Sequence, residues 1–221
     1  MRIFERHFFL ILLLFLFACT AQKTEVNEVP VVTVADTVVT ELEPSTEKEY
    51  LDREELYNFT KESPILAFIK NYPPPFDTLD FNKVIAYDFD GLDEHYSTVY
   101  DPNKLGYAPV IIEQRSLTIE SVDELISLLT DNSTYGGRRA ACYEPHLSFI
   151  FYKEQAVRGV VDICLDCNFL KSTLPFSNEG LKTITFDSGG SLPLDGFSEK
   201  GVDRIIALST RLNLDYSTFE K

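Results

Sequence analysis

From residue 83 onward the chain contains short apolar runs, separated by polar turns, in the lengths typical of β-strands. The runs are rich in Val, Ile and aromatic residues, which favour extended backbone. Five segments are predicted as strands: 83–89 (KVIAYDF), 109–117 (PVIIEQRSL), 147–152 (LSFIFY), 159–164 (GVVDIC) and 182–186 (KTITF). A short polar link joins the third and fourth, which predicts a hairpin with its turn at Glu154 and Gln155.

Apolar residues spaced three and four apart predict helices between and after these strands. The segment 118–130 places on one face Ile119, Val122, Leu125, Ile126 and Leu129. Near the end of the chain, Ser198 fits a helix N-cap. The buried stripe predicted after it consists of Val202, Ile205, Ile206 and Leu212.

Two further helices are predicted before the first strand. The first is short and carries the apolar residues Leu51, Leu56 and Phe59. The second would begin with Ser63 as N-cap and Pro64 in the first helical position, and stop at Pro73-Pro74-Pro75. Together the elements predict one α+β domain over residues 50–221, a mostly antiparallel sheet of four to five strands with helices packed on one face.

The first 18 residues have the pattern of a secretory signal, with a basic head, an apolar run and a small residue before the cut. The apolar run is too short to span a bilayer, which needs roughly twenty residues. Leu16-Phe17-Ala18-Cys19 resembles the bacterial lipobox, although Phe17 is a less usual occupant. The resemblance implies that Cys19 is lipidated and anchors the mature chain in the membrane. Thr20, where retained lipoproteins carry Asp, favours the outer membrane.

Residues 19–49 are acidic, contain proline and lack aromatics until the domain begins, which predicts a disordered tether behind the lipidated cysteine. The whole chain carries a net charge of −15. Its leader holds Arg2, Arg6 and Glu5, so leader removal brings the charge to −16. Such a charge disfavours nucleic acid and anionic lipid surfaces as partners, because both require Lys/Arg patches. The expected partner is the membrane, through the lipid anchor; a protein or small-molecule partner is not identified.

The strand 83–89 runs into Asp88-Phe89-Asp90-Gly91, which resembles the first motif of haloacid-dehalogenase-type phosphatases. That resemblance implies Asp88 as nucleophile, Asp90 as acid and base, and magnesium bound by both. The chain departs from the family at Leu92, where the family has Thr or Val, so we expect a strand that ends in an acidic turn. The alternative is a calcium site built from Asp88, Asp90, Asp93 and Glu94.

Three of the four cysteines and one of the three histidines fall within residues 138–167. The segments Cys142-Tyr143-Glu144-Pro145-His146 and Ile163-Cys164-Leu165-Asp166-Cys167 resemble a group of uncharacterised exported bacterial proteins, some of them lipoproteins. That group carries Cys-aromatic-x-Pro and Ile-Cys-x-x-Cys motifs. The resemblance implies membership and export, but no reaction.

The predicted hairpin brings these groups to one end of the sheet. An even turn places Cys142 opposite Cys167 and His146 opposite Ile163, whereas a slip of one residue places His146 opposite Cys164. Directly opposed residues lie about 4.5 to 5.5 Å apart at Cα, which is disulfide distance.

Three interpretations of the cluster stay open. A disulfide from Cys142 to Cys167 or Cys164 would staple the hairpin and suits an oxidising envelope. A zinc site would use Cys142, His146, Cys164 and Cys167, with a CxxC knuckle. A redox pair of Cys164 and Cys167 would need a lowered thiolate pKa, which Asp166 opposes.

Gly136-Gly137-Arg138-Arg139 places two arginines side by side in an acidic chain, so Arg138 and Arg139 are candidates to bind a carboxylate or phosphate. No GxSxG, GxGxxG, P-loop or HExxH motif occurs, and no catalytic residue is assigned. The sequence favours a membrane-anchored envelope lipoprotein with a non-catalytic binding or structural domain. The alternative is a metal- or thiol-dependent enzyme that uses the cysteine cluster.

Overall fold

The computed structural model describes residues 49–68, 71–91, 96–104, 106–176 and 182–214. The strands are β1 (Lys83–Phe89), β2 (Tyr100–Asp101), β3 (Gly106–Tyr107), β4 (Ile111–Ser116), β5 (Tyr135–Gly137), β6 (Leu147–Lys153), β7 (Ala156–Cys164), β8 (Phe169–Ser172), β9 (Thr183–Thr185), β10 (Ser191–Pro193) and β11 (Gly196–Phe197). The helices are α1 (Arg53–Glu62), α2 (Ile119–Thr130) and α3 (Glu199–Arg211), with a 3₁₀ turn at Asn132–Thr134. The predicted signal peptide, Cys19 and nearly all of the predicted tether lie outside the described residues.

A five-stranded sheet with the order β4-β1-β6-β7-β8 forms the centre of the fold, and all its neighbouring strands are antiparallel. The α+β prediction and the first four predicted strands are confirmed. The fifth predicted strand forms as β9, but it pairs with β10 in a separate two-stranded ribbon. The fifth place in the central sheet belongs to β8, a short strand that the apolar pattern did not predict.

Both faces of the central strands are buried. On β1, Val84 and Ala86 join one hydrophobic cluster, while Ile85, Tyr87 and Phe89 join another. Helices α2 and α3 pack together on the first face, as predicted, whereas α1 departs from the prediction and packs on the other side of the sheet. The opposite face, which we call the tyrosine face, is covered by α1 and by the β2–β3 ribbon. Burial on both sides explains why β1 reads as a nearly continuous apolar run.

The tyrosine hydroxyl groups on the tyrosine face form hydrogen bonds with one another. The Tyr152 hydroxyl lies 2.7 Å from the hydroxyl of Tyr87 and 2.7 Å from that of Tyr107 on the β2–β3 ribbon. Burial raises the pKa of Tyr87 and of Tyr152 well above its usual range. Tyr87 and Tyr152 therefore stay protonated, and the hydrogen bond between Tyr152 and Tyr107 ties the ribbon to the sheet.

The predicted helix from Ser63 is wrong. Ser63 is instead the C-cap of α1: its N–H and its hydroxyl both donate to the Phe59 carbonyl, at 2.8 and 2.7 Å. Residues 64–68 have no helical structure. The cause is Pro64, because the residue before a proline is pushed out of the helical region. Ser63 accordingly has φ −56° and ψ 138°.

Helices α2 and α3 form where the sequence predicts them, and the predicted N-cap Ser198 is confirmed. Thr118 caps α2, and the Ser198 hydroxyl accepts the Gly201 N–H at 3.1 Å at the start of α3. The predicted stripe of α2 is buried except for Ile119, which is 38% exposed. In the stripe predicted for α3 only Ile205 is fully buried, and the other members are half-buried: Val202, Ile206 and Leu212. Within the described part of the chain, none of the helices combines the length and apolar character needed to cross a bilayer.

Candidate functional site

The candidate site lies where residues 142–146, here called the Cys142 loop, cross one end of the central sheet. The structure joins Cys142 to Cys167 by a disulfide with a Cα–Cα distance of 5.6 Å, inside the usual range of about 4.4–6.8 Å. Cys142 precedes β6, and Cys167 lies in the turn between β7 and β8, here called the CxxC turn (Cys164 to Cys167). The two residues therefore meet across loops, not across neighbouring strands as expected.

A β-bulge sets which residues meet at this end. Next to the predicted two-residue turn, Tyr152 pairs with Val157; one step further, Phe151 pairs with Gly159. Arg158 is therefore an extra residue on β7. Beyond it the pairing runs one residue out of the register set by the turn. The slipped register, predicted as an alternative, is the one that forms, but a bulge produces it and not an odd loop.

The Cys164 side chain is buried beside the disulfide, with 0% of the residue exposed. Its Sγ accepts the Cys167 N–H at 3.1 Å and is also hydrogen-bonded by the backbone N–H of Glu144. Burial raises the pKa of the Cys164 thiol, and the nearby carboxylates of Asp166 and Glu144 raise it further, while the two N–H groups act in the opposite direction. At neutral pH Cys164 is therefore a thiol, and it lies between the two backbone segments that the disulfide joins.

Zinc coordination by Cys142, His146, Cys164 and Cys167 would require reduction of the disulfide, because the thiolate is the metal ligand. In the described ranges no three His, Cys, Asp or Glu side chains are grouped so that they could hold a metal ion. His146 is 4% exposed, and its Nδ1 lies 3.2 Å from the carbonyl of Phe89 on β1. The last pair of the ladder is Leu147 with Ile163, and continuing its register by one residue places His146 opposite Cys164.

The remaining residues of the Cys142 loop are also bonded to the sheet. The Tyr143 hydroxyl donates to the Asp162 carbonyl at 2.9 Å and accepts the Lys171 N–H at 3.2 Å. The Lys171 ammonium lies 3.7 Å from the centre of the Tyr143 ring. The Phe169 ring packs against the Tyr143 ring, with 4.8 Å between the two ring centres. The loop is therefore attached to β7 and β8 as well as through the disulfide.

Gly91 of the acidic motif has a packing role at the same end. A Cβ atom at this position would overlap the carbonyl oxygen of Pro145 in the Cys142 loop. The strand β1 ends at Phe89 and a turn follows, as predicted, and the Tyr50 hydroxyl donates to Asp90 at 3.3 Å. Asp93 and Glu94 lie outside the described residues, so a calcium site there stays a prediction.

Gly91→Ala is expected to lower the free energy of unfolding by about 1–3 kcal/mol, the usual cost of forcing extra atoms into a packed site. Because the overlapping atom belongs to the backbone of Pro145, the loop must shift to accommodate the methyl group. Urea denaturation measures the change. Gly190→Ala is the matched control, since its Cβ would make only an ordinary contact with Phe186. Equal stability of the two variants would contradict the close approach of Gly91 and Pro145.

The two candidate arginines lie next to the loop and are exposed. Arg139 forms an ion pair with Asp195 at 3.1 Å, and its guanidinium lies 5.5 Å from the centre of the Phe169 ring. The carbonyl of Arg138 accepts a hydrogen bond from the Asn168 amide at 2.9 Å. These contacts join the segment to the β8 edge, and ligand binding by Arg138 and Arg139 stays a prediction.

Sequence reasoning missed Asp162, a carboxylate on β7 that is only 4% exposed. Ser148 is its cross-strand partner on the tyrosine face, and the Val99 N–H donates to Oδ1 at 3.4 Å. Burial raises the pKa of Asp162 to about 6, although the Ser148 and Thr98 hydroxyls, the Val99 N–H and the charge of Lys171 favour the ionised form. An acidic residue inside the apolar run GVVDIC was the available signal.

A second candidate is an open cavity of about 510 Å³ beside the β6–β7 turn. Its walls are formed by Lys61, Ile65, Lys83, Lys153, Glu154, Gln155 and Ala156. The Lys83 ammonium is buried and donates to the carbonyls of Thr60 and Lys61, at 2.8 and 3.4 Å, at the C-terminal end of α1 where a cation is favoured. Lys153 pairs with Asp80 at 2.7 Å. Two of the three lysines therefore already have acceptors in the fold.

No protein-family model, curated protein or solved structure matches this chain.

Proposed function

We propose that the protein is a lipid-anchored lipoprotein of the bacterial envelope whose folded domain has a non-catalytic, binding or structural role. The observation that carries the proposal is the attachment of the Cys142 loop: each of its five residues contacts the sheet end. The contacts are Cys142–Cys167, Tyr143–Asp162, Glu144–Cys164, Pro145–Gly91 and His146–Phe89. The loop that carries two of the candidate metal ligands, Cys142 and His146, is thus attached to the fold at every one of its residues.

The disulfide also supports the proposed location in the bacterial envelope. Structural disulfides persist in oxidising compartments and are rare in the cytosol. The pairing of Cys142 with Cys167 therefore agrees with the secretory signal and lipobox that end at Cys19. Thr20 favours the outer membrane over retention in the inner membrane.

Cys19→Ser is expected to abolish fatty-acid labelling and to release the protein from the membrane fraction, because the substitution removes the sulfur that carries the lipid. The measurement is metabolic labelling with a fatty acid, followed by membrane fractionation. Cys164→Ser is the matched control, since it also removes one thiol but keeps the lipobox. An unlabelled wild-type protein, with fractionation unchanged by Cys19→Ser, would contradict the proposal.

The alternative, a metal- or thiol-dependent enzyme, is favoured by one observation: a free Cys164 thiol lies beside the disulfide. Metal analysis and thiol titration of the purified chain in detergent separate the two functions. One buried thiol and no bound metal are expected for the non-catalytic domain. Reactive, reduced Cys142 and Cys167 with bound zinc would instead support the enzyme.

A further inference from the structure

The three domain sulfurs are arranged around one backbone turn. Cys164 and Cys167 are the ends of the CxxC turn, and the Cys164 Sγ is bound by the Cys167 N–H at 3.1 Å. The same sulfur is bound by the Glu144 N–H, two residues beyond Cys142. The free thiol therefore contacts the backbone on both sides of the disulfide, and these N–H donors would stabilise a thiolate on Cys164.

We infer that Cys164 can displace Cys142 from Cys167 and so make Cys142 an exposed, modifiable thiol. In this step the Cys164 thiol loses its proton to solvent and its sulfur attacks the Cys167 sulfur. The Cys142–Cys167 bond breaks as the Cys164–Cys167 bond forms, and Cys142 leaves as a thiolate that takes up a proton. One thiol and one disulfide are present before and after, so the exchange needs neither oxidant nor reductant.

The exchange changes which sulfur is accessible. Cys164 and Cys167 are completely buried, whereas Cys142 is an exposed residue. Before the step the free thiol is enclosed; after it the CxxC turn is closed and the free thiol belongs to the Cys142 loop. The site would therefore react with external disulfides or thiol reagents at Cys142, and the inference holds whether or not the lipid anchor is present.

The resting protein should be unreactive near neutral pH. Burial and the neighbouring carboxylates raise the pKa of Cys164, so its thiolate, which is the attacking species, is scarce. Raising the pH increases the thiolate fraction and should speed the exchange. Exchange would also release the loop from its crosslink, because the new disulfide lies entirely within the CxxC turn.

The test is alkylation of the full chain with iodoacetamide in detergent, without reductant, at pH 7 and pH 9. Trypsin cleaves after Arg139, Lys153, Arg158 and Lys171, so Cys142 falls in peptide 140–153 and both other cysteines fall in peptide 159–171. The resting disulfide links the two peptides. Exchange separates them and leaves an internal disulfide in peptide 159–171, which mass spectrometry distinguishes.

At pH 9 we expect alkylated Cys142 together with the internal disulfide of peptide 159–171, at least tenfold faster than at pH 7. Cys164→Ser should keep the two peptides linked and should not be alkylated at Cys142; Cys164→Ala replaces it as control if the serine variant does not fold. Alkylation of Cys164 with the two peptides still linked would overturn the inference. Equal alkylation of Cys142 in the wild type and in the control would do the same.

Discussion

Cys142→Ser is expected to lower the free energy of unfolding by about 3.5 kcal/mol, within the usual 2–5 kcal/mol for removing a native disulfide. The crosslink joins residues 25 positions apart. Without it the unfolded chain gains the conformational freedom of that loop, and the loop-closure relation gives the stated magnitude. The native state also loses the bond that fixes the first residue of the Cys142 loop.

Urea denaturation without reductant measures this loss. Wild-type protein treated with reductant should approach the stability of Cys142→Ser, whereas Cys164→Ser, which retains the crosslink, should lie closer to the untreated wild type. His146→Ala should be mild, because its role is local packing. A large loss in His146→Ala accompanied by loss of bound metal would mean that the cluster is a zinc site, since metal-binding free energy becomes folding free energy.

Asp162→Asn should stabilise the protein above pH 6 by up to about 3 kcal/mol. The folded-state pKa of Asp162 is about 6 and its ordinary value is 3.8, so the folded chain holds this proton more tightly than the unfolded chain. The contribution of Asp162 is therefore most favourable below about pH 4 and is lost as pH rises through 6. A shift of about two pH units corresponds to about 3 kcal/mol.

The measurement is the difference in unfolding free energy between wild type and Asp162→Asn from pH 4 to pH 8. Other carboxylates make the unfolding free energy change with pH in the opposite direction, and taking the difference cancels their contribution. Asp131 is an example, because hydrogen bonds from Ser133 are the main cause that lowers its pKa. Asp203→Asn, an exposed position on α3, is the matched control for removing one negative charge. If the difference for Asp162→Asn does not change with pH, or if the variant destabilises most at high pH, then Asp162 is not a desolvated carboxylate.

Much of the fold follows from local sequence. The segments KVIAYDF and LSFIFY became strands with nearly the predicted limits, because buried strands in the centre of a sheet consist of continuous apolar residues. The strand β8 (FLKS) carries little such signal, since it lies at the sheet edge and only half-buries its side chains. The helix predicted from Ser63 failed because two rules conflict there: Ser-Pro begins helices, but a residue before proline also ends them.

The sequence identified the cysteines of the candidate site, but it did not predict which groups contact the free thiol of Cys164. The short turn correctly placed Cys142 and Cys167 at the same end of the hairpin. The strand register predicted for them was not the one that forms, because the bulge shifts it by one residue and the pair meets across loops. Hairpin reasoning could not choose the partner of the free thiol or place Glu144 against Cys164, because those contacts depend on how a loop folds over the sheet. Asp162 was missed because a strand pattern assigns a charge to solvent, whereas here the β2–β3 side of the protein covers it.

Because of the bulge at Arg158, the number of residues in β7 determines on which face of the sheet each later side chain lies. The bulge places Asp162 opposite Ser148, on the face that holds Tyr87, so the carboxylate meets hydroxyl groups. In the register set by the turn alone, Asp162 would pair with Leu147 and point toward the apolar layer beneath α2 and α3. The assignment of side chains to the two faces therefore depends on whether the number of residues in β7 is odd or even, more than on the length of the strand. Two residues gained or lost in β7 keep each side chain on its own face, whereas one residue gained or lost moves every side chain beyond it to the opposite face.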